Sequence, residues 1–433
     1  MKENTLRPRV VILHQGIGDA FRYRCLHLAE QLALLGAGCR IQPFLPGDGL
    51  KIRACDLIVV HRVPLDGLLA RRLRTLQGGG ALVLFDTDDL VFDVEEAISF
   101  SRSISDPWLR RALYREDLEG LSRTLRLADG ALVATETLAA RARQLGKPAW
   151  VHRNAFSSAM LKVAEDAFAR RRPRSGAVVI GYASGTPTHE RDFAIVKPVL
   201  TRILESHPAV ELRLIGHIDG GDFGSVASRV SRRPFVDWRK LPAELTDLDI
   251  NLAPVEPGRA FCEAKSEIKY VEAALVRVPT IASATAAFAF AIRDGSNGML
   301  ARSADDWLAG LERLVRGRDV REAIGQNAYG DALARYRLEV RAQELKGTLR
   351  EFLSAHGRAG LAEQLVLDKT VSAPDGAAPE EPVREPAITD QQPRSHLYKA
   401  FYSLRYDRPG LFALRVLSFL SAHLRRSGAA GAG

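Results

Sequence analysis

Residues 261–283 read FCEAKSEIKYVEAALVRVPTIAS, and the fold follows from how this stretch is parsed. Ile268, Val271, Leu275 and Val276 recur at helical spacing, and the VPTIAS run behind them reads as a short buried strand. A helix that passes directly into a strand is the repeating step of a parallel α/β sheet. Lys265 and Ser266 stand at the front of the expected helix. Helix amino ends carry unpaired N–H groups and partial positive charge, so with Lys265 and Lys269 beside it this end can seat a phosphate. Glu272, about two turns along, is placed to take a hydroxyl of a sugar joined to that phosphate. An amphipathic helix with solvated lysines produces the same pattern, and periodicity alone does not separate the two.

Outward from this stretch the same alternation continues. Val10–Leu13 forms an apolar run ended by HQGIGDAFRYR, and a helical pattern through Leu26, Leu28, Ala29, Leu32 and Leu35 stops at Gly36. Strand patterns follow at 41–44, 57–60, 81–85, 130–134 and 149–151, with helical patterns between them at 65–76, 106–128 and 135–145. ARRRPRS at 169–175 reads as an exposed connector. The alternation then restarts, with strands at 177–182, 211–215, 250–253 and 280–282 and a segment at 235–238. The expected organisation is an N-terminal Rossmann-like domain at 1–168, a linker at 169–176 and a second Rossmann-like domain at 177–337. A helix at 338–357 crosses back to the first domain, a disordered linker covers 358–395, and a basic tail covers 396–433. Two such halves imply a ligand cleft at the carboxyl ends of their strands. In the tail, Leu411, Leu414, Leu417, Leu420 and Leu424 repeat among arginines. An amphipathic helix of this kind can lie on an anionic membrane through 396–426, cap the globular body, or pair with another subunit.

The 433 residues predict about two to three domains. With 61 Lys+Arg against 52 Asp+Glu the net charge is +9, which suits an anionic partner without choosing among nucleic acid, membrane and a phosphorylated small molecule. The basic residues are scattered with no aromatic interleaving, which argues against nucleic acid. Cys25, Cys39, Cys55 and Cys262 form no C-x-x-C pair and read as reduced core thiols of a cytoplasmic protein. No apolar run is long enough to span a bilayer, and the amino terminus carries no signal-peptide pattern.

Three segments in order, EAALVRVPTIAS, AIRDGSNGML and VREAIGQNA, make the chain resemble the group 1 (family four) retaining glycosyltransferases. QGIGDAFRYRCLHLAEQL, FDTDDLVFD and GYASGTPTHERDF resemble, more loosely, segments of members that build bacterial surface polysaccharide. The resemblance covers residues 9–355. It implies a GT-B fold, a nucleotide-diphosphate-sugar co-substrate held mainly by the second domain, an acceptor approached from the first, and no metal or other cofactor. Of the family's two acidic donor-site residues, eight positions apart, Glu272 matches the second, which holds the ribose, and Ala264 stands at the first. A related subgroup carries K-S-x-x-K-Y-x-E, as here.

The donor-side candidates are therefore Gly185, Thr186, Arg191, Trp238, Lys265, Ser266, Lys269 and Glu272. Lys265, Ser266 and the Gly185-Thr186 loop would neutralise a departing diphosphate, and Trp238 would stack on the base. A turn capping a helix, a solvated first turn and a buried Trp are the structural alternatives. On the acceptor side stand Gly16, Gly18, Arg22, Arg24, Arg62 and Asp86, with Asp88 beside Lys265 as the catalytic candidates. Clustered Asp86, Asp88 and Asp89 also fit a metal site or a helix cap. His14 and His61 end strands, and Asn154 matches the family's P-N-G segment. The reading is a cytoplasmic sugar transferase with a lipid-linked or glycan acceptor, peripheral at the inner membrane face through its tail. Its rivals are a GT-B sugar-nucleotide epimerase and a non-catalytic nucleotide-sugar or glycan binder.

Overall fold

The computed structural model describes residues 7–16, 18–44, 54–101, 108–171 and 176–367. The expected basic tail, the expected disordered stretch from 368 on and connector residues 172–175 lie outside the described residues. The described chain divides into two compact units: residues up to 134 with 138–152 and 342–367, and residues 135–137 with 153–341.

The first unit is built on a parallel six-stranded sheet of β1 (Arg9–His14), β2 (Gly38–Pro43), β3 (Leu57–His61), β4 (Leu82–Thr87), β5 (Gly130–Val133) and β6 (Ala149–Val151). Its order is β2-β1-β3-β4-β5-β6, so the winding direction reverses between β1 and β3. The interior strands β3 and β5 are buried along their whole length, as continuous apolar runs are when helices cover both sheet faces. Helix Leu338–Ala355 returns the chain to this unit from Ala342 onward, and Phe352 packs edge-on against Trp150. Order continues past the expected linker start at 358. Helix Ala359–Glu363 follows, Leu365 is buried, and the Val366 N–H donates to Leu35 O.

The second unit has its own parallel sheet of β7 (Val178–Ser184), β8 (Val210–Gly216), β9 (Val230–Arg233), β10 (Ile250–Ala253), β11 (Thr280–Ser283) and β12 (Met299–Ala301). The order β12-β11-β10-β7-β8-β9 reverses between β7 and β10. Its core joins Tyr182, Phe193, Leu200, Leu214, Leu252, Ile281 and Leu311. Helix Ala304–Arg316 opens with a reciprocal capping box between Ser303 and Asp306. Gly325 lets helix Arg318–Tyr336 lie on the turn after helix Ile268–Leu275, since a Cβ there would sit 2.1 Å from Arg277 O. Arg277 itself takes φ +60°, and its guanidinium is stacked 3.9 Å from the Phe168 ring and 3.8 Å from the Tyr329 ring.

The structure differs from expectation in several places. The edge strand is Val230–Arg233, which was not expected, because Ser231, Arg232 and Arg233 are exposed and give no apolar signal. β12 and helices Val94–Ser101, Ser158–Ala169 and Leu241–Thr246 were not expected. The second unit begins at Arg153, ahead of the expected 169–176 connector, because Met160 and Ala164 of helix Ser158–Ala169 pack with Leu241, Leu245 and Leu275. The expected helix begins later than the Lys265-Ser266 pair at its front: it runs over Ile268–Leu275, a separate short helix spans Ala260–Glu263, and Lys265 and Ser266 lie in the turn between them.

Candidate functional site

In doubly wound sheets ligands settle where strand order reverses, because the loops there diverge and leave room. In the second unit that place lies beyond β7 and β10, and a charged cluster occupies it. Asp192, from helix Glu190–Ala194 after β7, is buried and accepts from the Glu256 N–H at 2.9 Å in the loop after β10. Its other oxygen takes Lys265 Nζ at 2.5 Å and His189 Nδ1 at 2.8 Å. Burial pushes the Asp192 carboxyl up, but the His189 hydrogen bond and the Lys265 charge outweigh it and leave the pKa at about 2. Burial, with Lys269 and Lys265 nearby, lowers the His189 pKa. The imidazole is thus held neutral, with its Nδ1 proton directed at Asp192. Lys269 Nζ donates to Ala183 O at the end of β7, 5.0 Å from the Tyr182 ring centroid. Arg191 and Arg259 both pair with Glu256, at 3.0 and 3.1 Å. Gly185 and Thr186 are exposed at the same strand end, in a turn held by Ser184 Oγ donating to Thr186 O.

The turn 264–267 is fixed from its far side. Glu267 stands at the N-cap position of helix Ile268–Leu275 without capping it. Its carboxylate instead accepts from Tyr336 OH at 2.8 Å and faces Arg153 Nη1 at 3.5 Å. Arg153 also lies flat on Phe290, 3.6 Å from the ring centroid, and Asn154 Nδ2 donates to Ser266 Oγ at 3.3 Å. Further along the helix, half-buried Glu272 and Trp238 line one hollow with Met160, Ala164, Leu241, Pro242, Leu245 and Leu275. The Arg239 guanidinium lies over one face of the Trp238 ring, 4.6 Å from its centroid, so at most the other face is open to a flat ligand ring.

The first unit also carries charge at its reversal point, differently arranged. Arg24, expected to face an acceptor, is buried. It grips Asp86 through two hydrogen bonds at 3.1 and 2.5 Å and donates to His152 O. His61 Nδ1 donates to the same carboxylate at 2.8 Å. Burial alone would raise the Asp86 pKa, yet Arg24 and His61 bring it to about 2. Arg24 and Asp86 are therefore committed to each other, a correction to the expectation that they meet an acceptor. Arg62, at φ +49°, holds Asp88 at 2.5 Å and Asp89 at 2.7 Å. Asp93 is the residue that accepts at the start of helix Val94–Ser101, so neither Asp88 nor Asp89 caps it. Gly18 has φ +100°, a conformation that favours glycine; nothing lies within 4 Å of a Cβ built at Gly16 or Gly18. Arg22 pairs with Asp19 at 2.9 Å, and His14 Nδ1 donates to Gly16 O. Among the described residues no group of three or more His, Cys, Asp and Glu is arranged to hold a metal ion. The four cysteines are free, and burial pushes the Cys39 and Cys262 thiols up to about 12.

Sequence reading missed His189, Asp192, Glu256, Glu267, Arg153 and Tyr336 as members of the site. His189 and Asp192 lie inside the quoted GTPTHERDF segment, so an imidazole and a carboxylate three apart just after a strand were the available signal.

Residues 195–347 match the family model described as "Glycosyl transferase-like". No curated protein matches the chain. Among solved structures, sucrose-phosphate synthase from Thermosynechococcus elongatus superposes with a TM-score of 0.56 at 14% identity, over 81% of this chain and 100% of that one. A glycosyltransferase from Rickettsia africae gives 0.54 at 11%, over 80% and 99%. Anabaena HepE in complex with UDP and glucose gives 0.52 at 15%, over 80% and 100%. At these identities the likeness carries the fold: the chain has the α/β GT-B fold, with a glycosyltransferase-like domain over residues 195–347.

Proposed function

We propose that the protein is a retaining glycosyltransferase. It moves a hexose or deoxyhexose from a nucleotide-diphosphate sugar to a glycan or lipid-linked acceptor in bacterial surface-polysaccharide synthesis. The observation that carries the reading is the Asp192-held pair of Lys265 and His189 at the second sheet's reversal point. As the glycosidic bond opens, negative charge grows on the leaving diphosphate. Cations already fixed in place stabilise it without reorganising. Lys265 supplies the charge, Ser266 and the Gly185-Thr186 turn supply donors, and Lys269 adds positive potential. The hollow shared by Trp238 and Glu272 takes the nucleoside, with the ring on Trp238 and ribose hydroxyls on Glu272. The glycosyltransferase-like match spans Trp238 to Glu272, and HepE, on the same fold, was solved with UDP and glucose.

We read the transfer as metal-independent, because the Asp86 and Asp88 carboxylates suited to Mg²⁺ are engaged by Arg24 and Arg62. The acceptor belongs with the first unit, where Gly16, Gly18 and Asp88 remain the candidates. No helix among the described residues is long and apolar enough to cross a membrane. Peripheral contact with the inner membrane face of the cytoplasm is proposed from the basic, leucine-rich segment 396–426.

Hydrolysis of UDP-, GDP-, ADP- and TDP-sugars by the wild type tests the reading. Lys265→Ala is expected to lower turnover about a hundredfold, and Glu272→Ala to act mainly on KM. Ala264 is buried, so the first acidic donor-site position is closed to a carboxylate. Donor binding with no turnover would therefore leave the non-catalytic binder as the answer, and absence of both would end the nucleotide-sugar reading.

A further inference from the structure

The Glu267 carbonyl accepts the first hydrogen bonds of the helix it begins, from the Tyr270 and Val271 N–H groups, but its side chain caps nothing. A residue at that position ordinarily turns its oxygen onto the first N–H groups of the helix. Here the carboxylate is 2% exposed and turned away, between Tyr336 OH and Arg153, with Oε2 accepting no hydrogen bond. Burying a carboxylate is costly unless it is paired, so the arrangement exists only while both partners stay in place. Tyr336 is itself buried and ends helix Arg318–Tyr336, and its carbonyl accepts from the Phe156 N–H. Arg153 is fixed by stacking on Phe290, which Arg335 covers at 4.3 Å. Three points of attachment, Arg153, Tyr336 and the Asn154–Ser266 hydrogen bond, thus converge on the four-residue turn that carries Lys265 and Ser266.

We propose that Glu267 is a positioning residue: clamped by Tyr336 and Arg153, it sets the turn so that Lys265 and Ser266 face the diphosphate of the donor. The proposal rests on the functional reading above. The clamp explains how a turn between two short helices, one of four residues and one of eight, keeps a lysine in register with Asp192. It also explains the loss of a helix cap at Glu267, since the same carboxylate cannot serve both ends of the turn.

The test uses the full-length protein and the nucleoside diphosphate, among UDP, GDP, ADP and TDP, that binds the wild type most tightly in calorimetry. Tyr336→Phe keeps the ring and removes one hydrogen bond to a charged acceptor. It is expected to weaken binding about tenfold. Glu267→Gln, which loses the ionic contact with Arg153, is expected to weaken it by at least as much. The decisive readout is a mutant cycle. In a Lys265→Ala, Ser266→Ala background Tyr336→Phe should change affinity less than about twofold, because both side chains it acts through are gone. The same fold-loss in both backgrounds, or none in either, overturns the clamp while leaving the donor site standing. Should Glu267→Gln fail to fold, Asn154→Ala and Tyr336→Phe carry the cycle. If no nucleoside diphosphate binds the wild type, the functional reading falls and this proposal with it.

Discussion

At the reversal of the first sheet Asp86 is entirely buried and Arg24 is 1% exposed, and each answers the other's charge. At the reversal of the second, the Lys265 side chain keeps 13% of its surface and His189 keeps 20%, although Asp192 beneath them is buried. The two clusters use similar chemistry, a buried carboxylate held by a cation and an imidazole. They differ in which partner meets solvent. A closed ion pair has nothing left to offer a ligand, and breaking it strands a charge in the interior. A buried carboxylate that holds partly exposed donors from beneath leaves part of each donor in contact with solvent. The first arrangement stabilises a scaffold, and the second suits the donor site proposed above.

Arg24→Ala should break this comparison most visibly. It leaves Asp86 buried without its main counter-charge, and about 3–5 kcal/mol of stability should be lost in urea denaturation. A loss below about 1 kcal/mol would mean that the first cluster is as open as the second.

Acid titration sharpens the contrast next. Asp86 and Asp192 both have folded-state pKa values near 2, below the ordinary carboxylate value. As pH falls the unfolded chain therefore binds protons first. The stabilisation, about 2 kcal/mol for each, is present above about pH 4 and drains away between about pH 4 and 2. His189, with a lowered pKa, adds a shallower loss that begins below about pH 6.5, since the unfolded imidazole is protonated while the folded one is not. Urea midpoints across pH 2–8 should show His189→Asn losing the upper limb and Asp192→Asn losing part of the lower. An unchanged profile in both would remove the second cluster from the pH response.

The smallest effect concerns backbone strain. Arg62 and Arg277 are the non-glycine residues with positive φ among the described residues, one in each unit. Arg277→Gly relieves the strain but gives up two aromatic contacts, so melting should show a change of about 1 kcal/mol or less. Arg277→Ala keeps the strain and loses the contacts, and should be the less stable of the two by about 1 kcal/mol. Arg62→Gly should be worse than Arg277→Gly, because it also releases Asp88 and Asp89.

Most strands were legible because buried parallel strands are continuous apolar runs, as at Leu57–His61 and Ile250–Ala253. The edge strand Val230–Arg233 was not, since only its first residue is apolar. Helix Ser158–Ala169 escaped notice beside the conspicuous ARRRPRS run, which also drew the expected boundary too far along the chain. Lys269 and Glu272 could be placed on one helix from this stretch because helical spacing is a local property, whereas the turn that carries Lys265 between two helices gave no such signal.

Local pattern determined the two doubly wound halves, their alternation and the chemical types gathered near residues 261–283. Tertiary structure decided which charges are closed and which keep a solvent face, because that depends on partners remote in the chain. Asp192 lies 73 residues from Lys265, Tyr336 lies 69 from Glu267, and Asp86 lies 62 from Arg24. An arginine in the sequence looks the same whether it ends in solvent or against a buried carboxylate. Only folding removes the water that distinguishes the two.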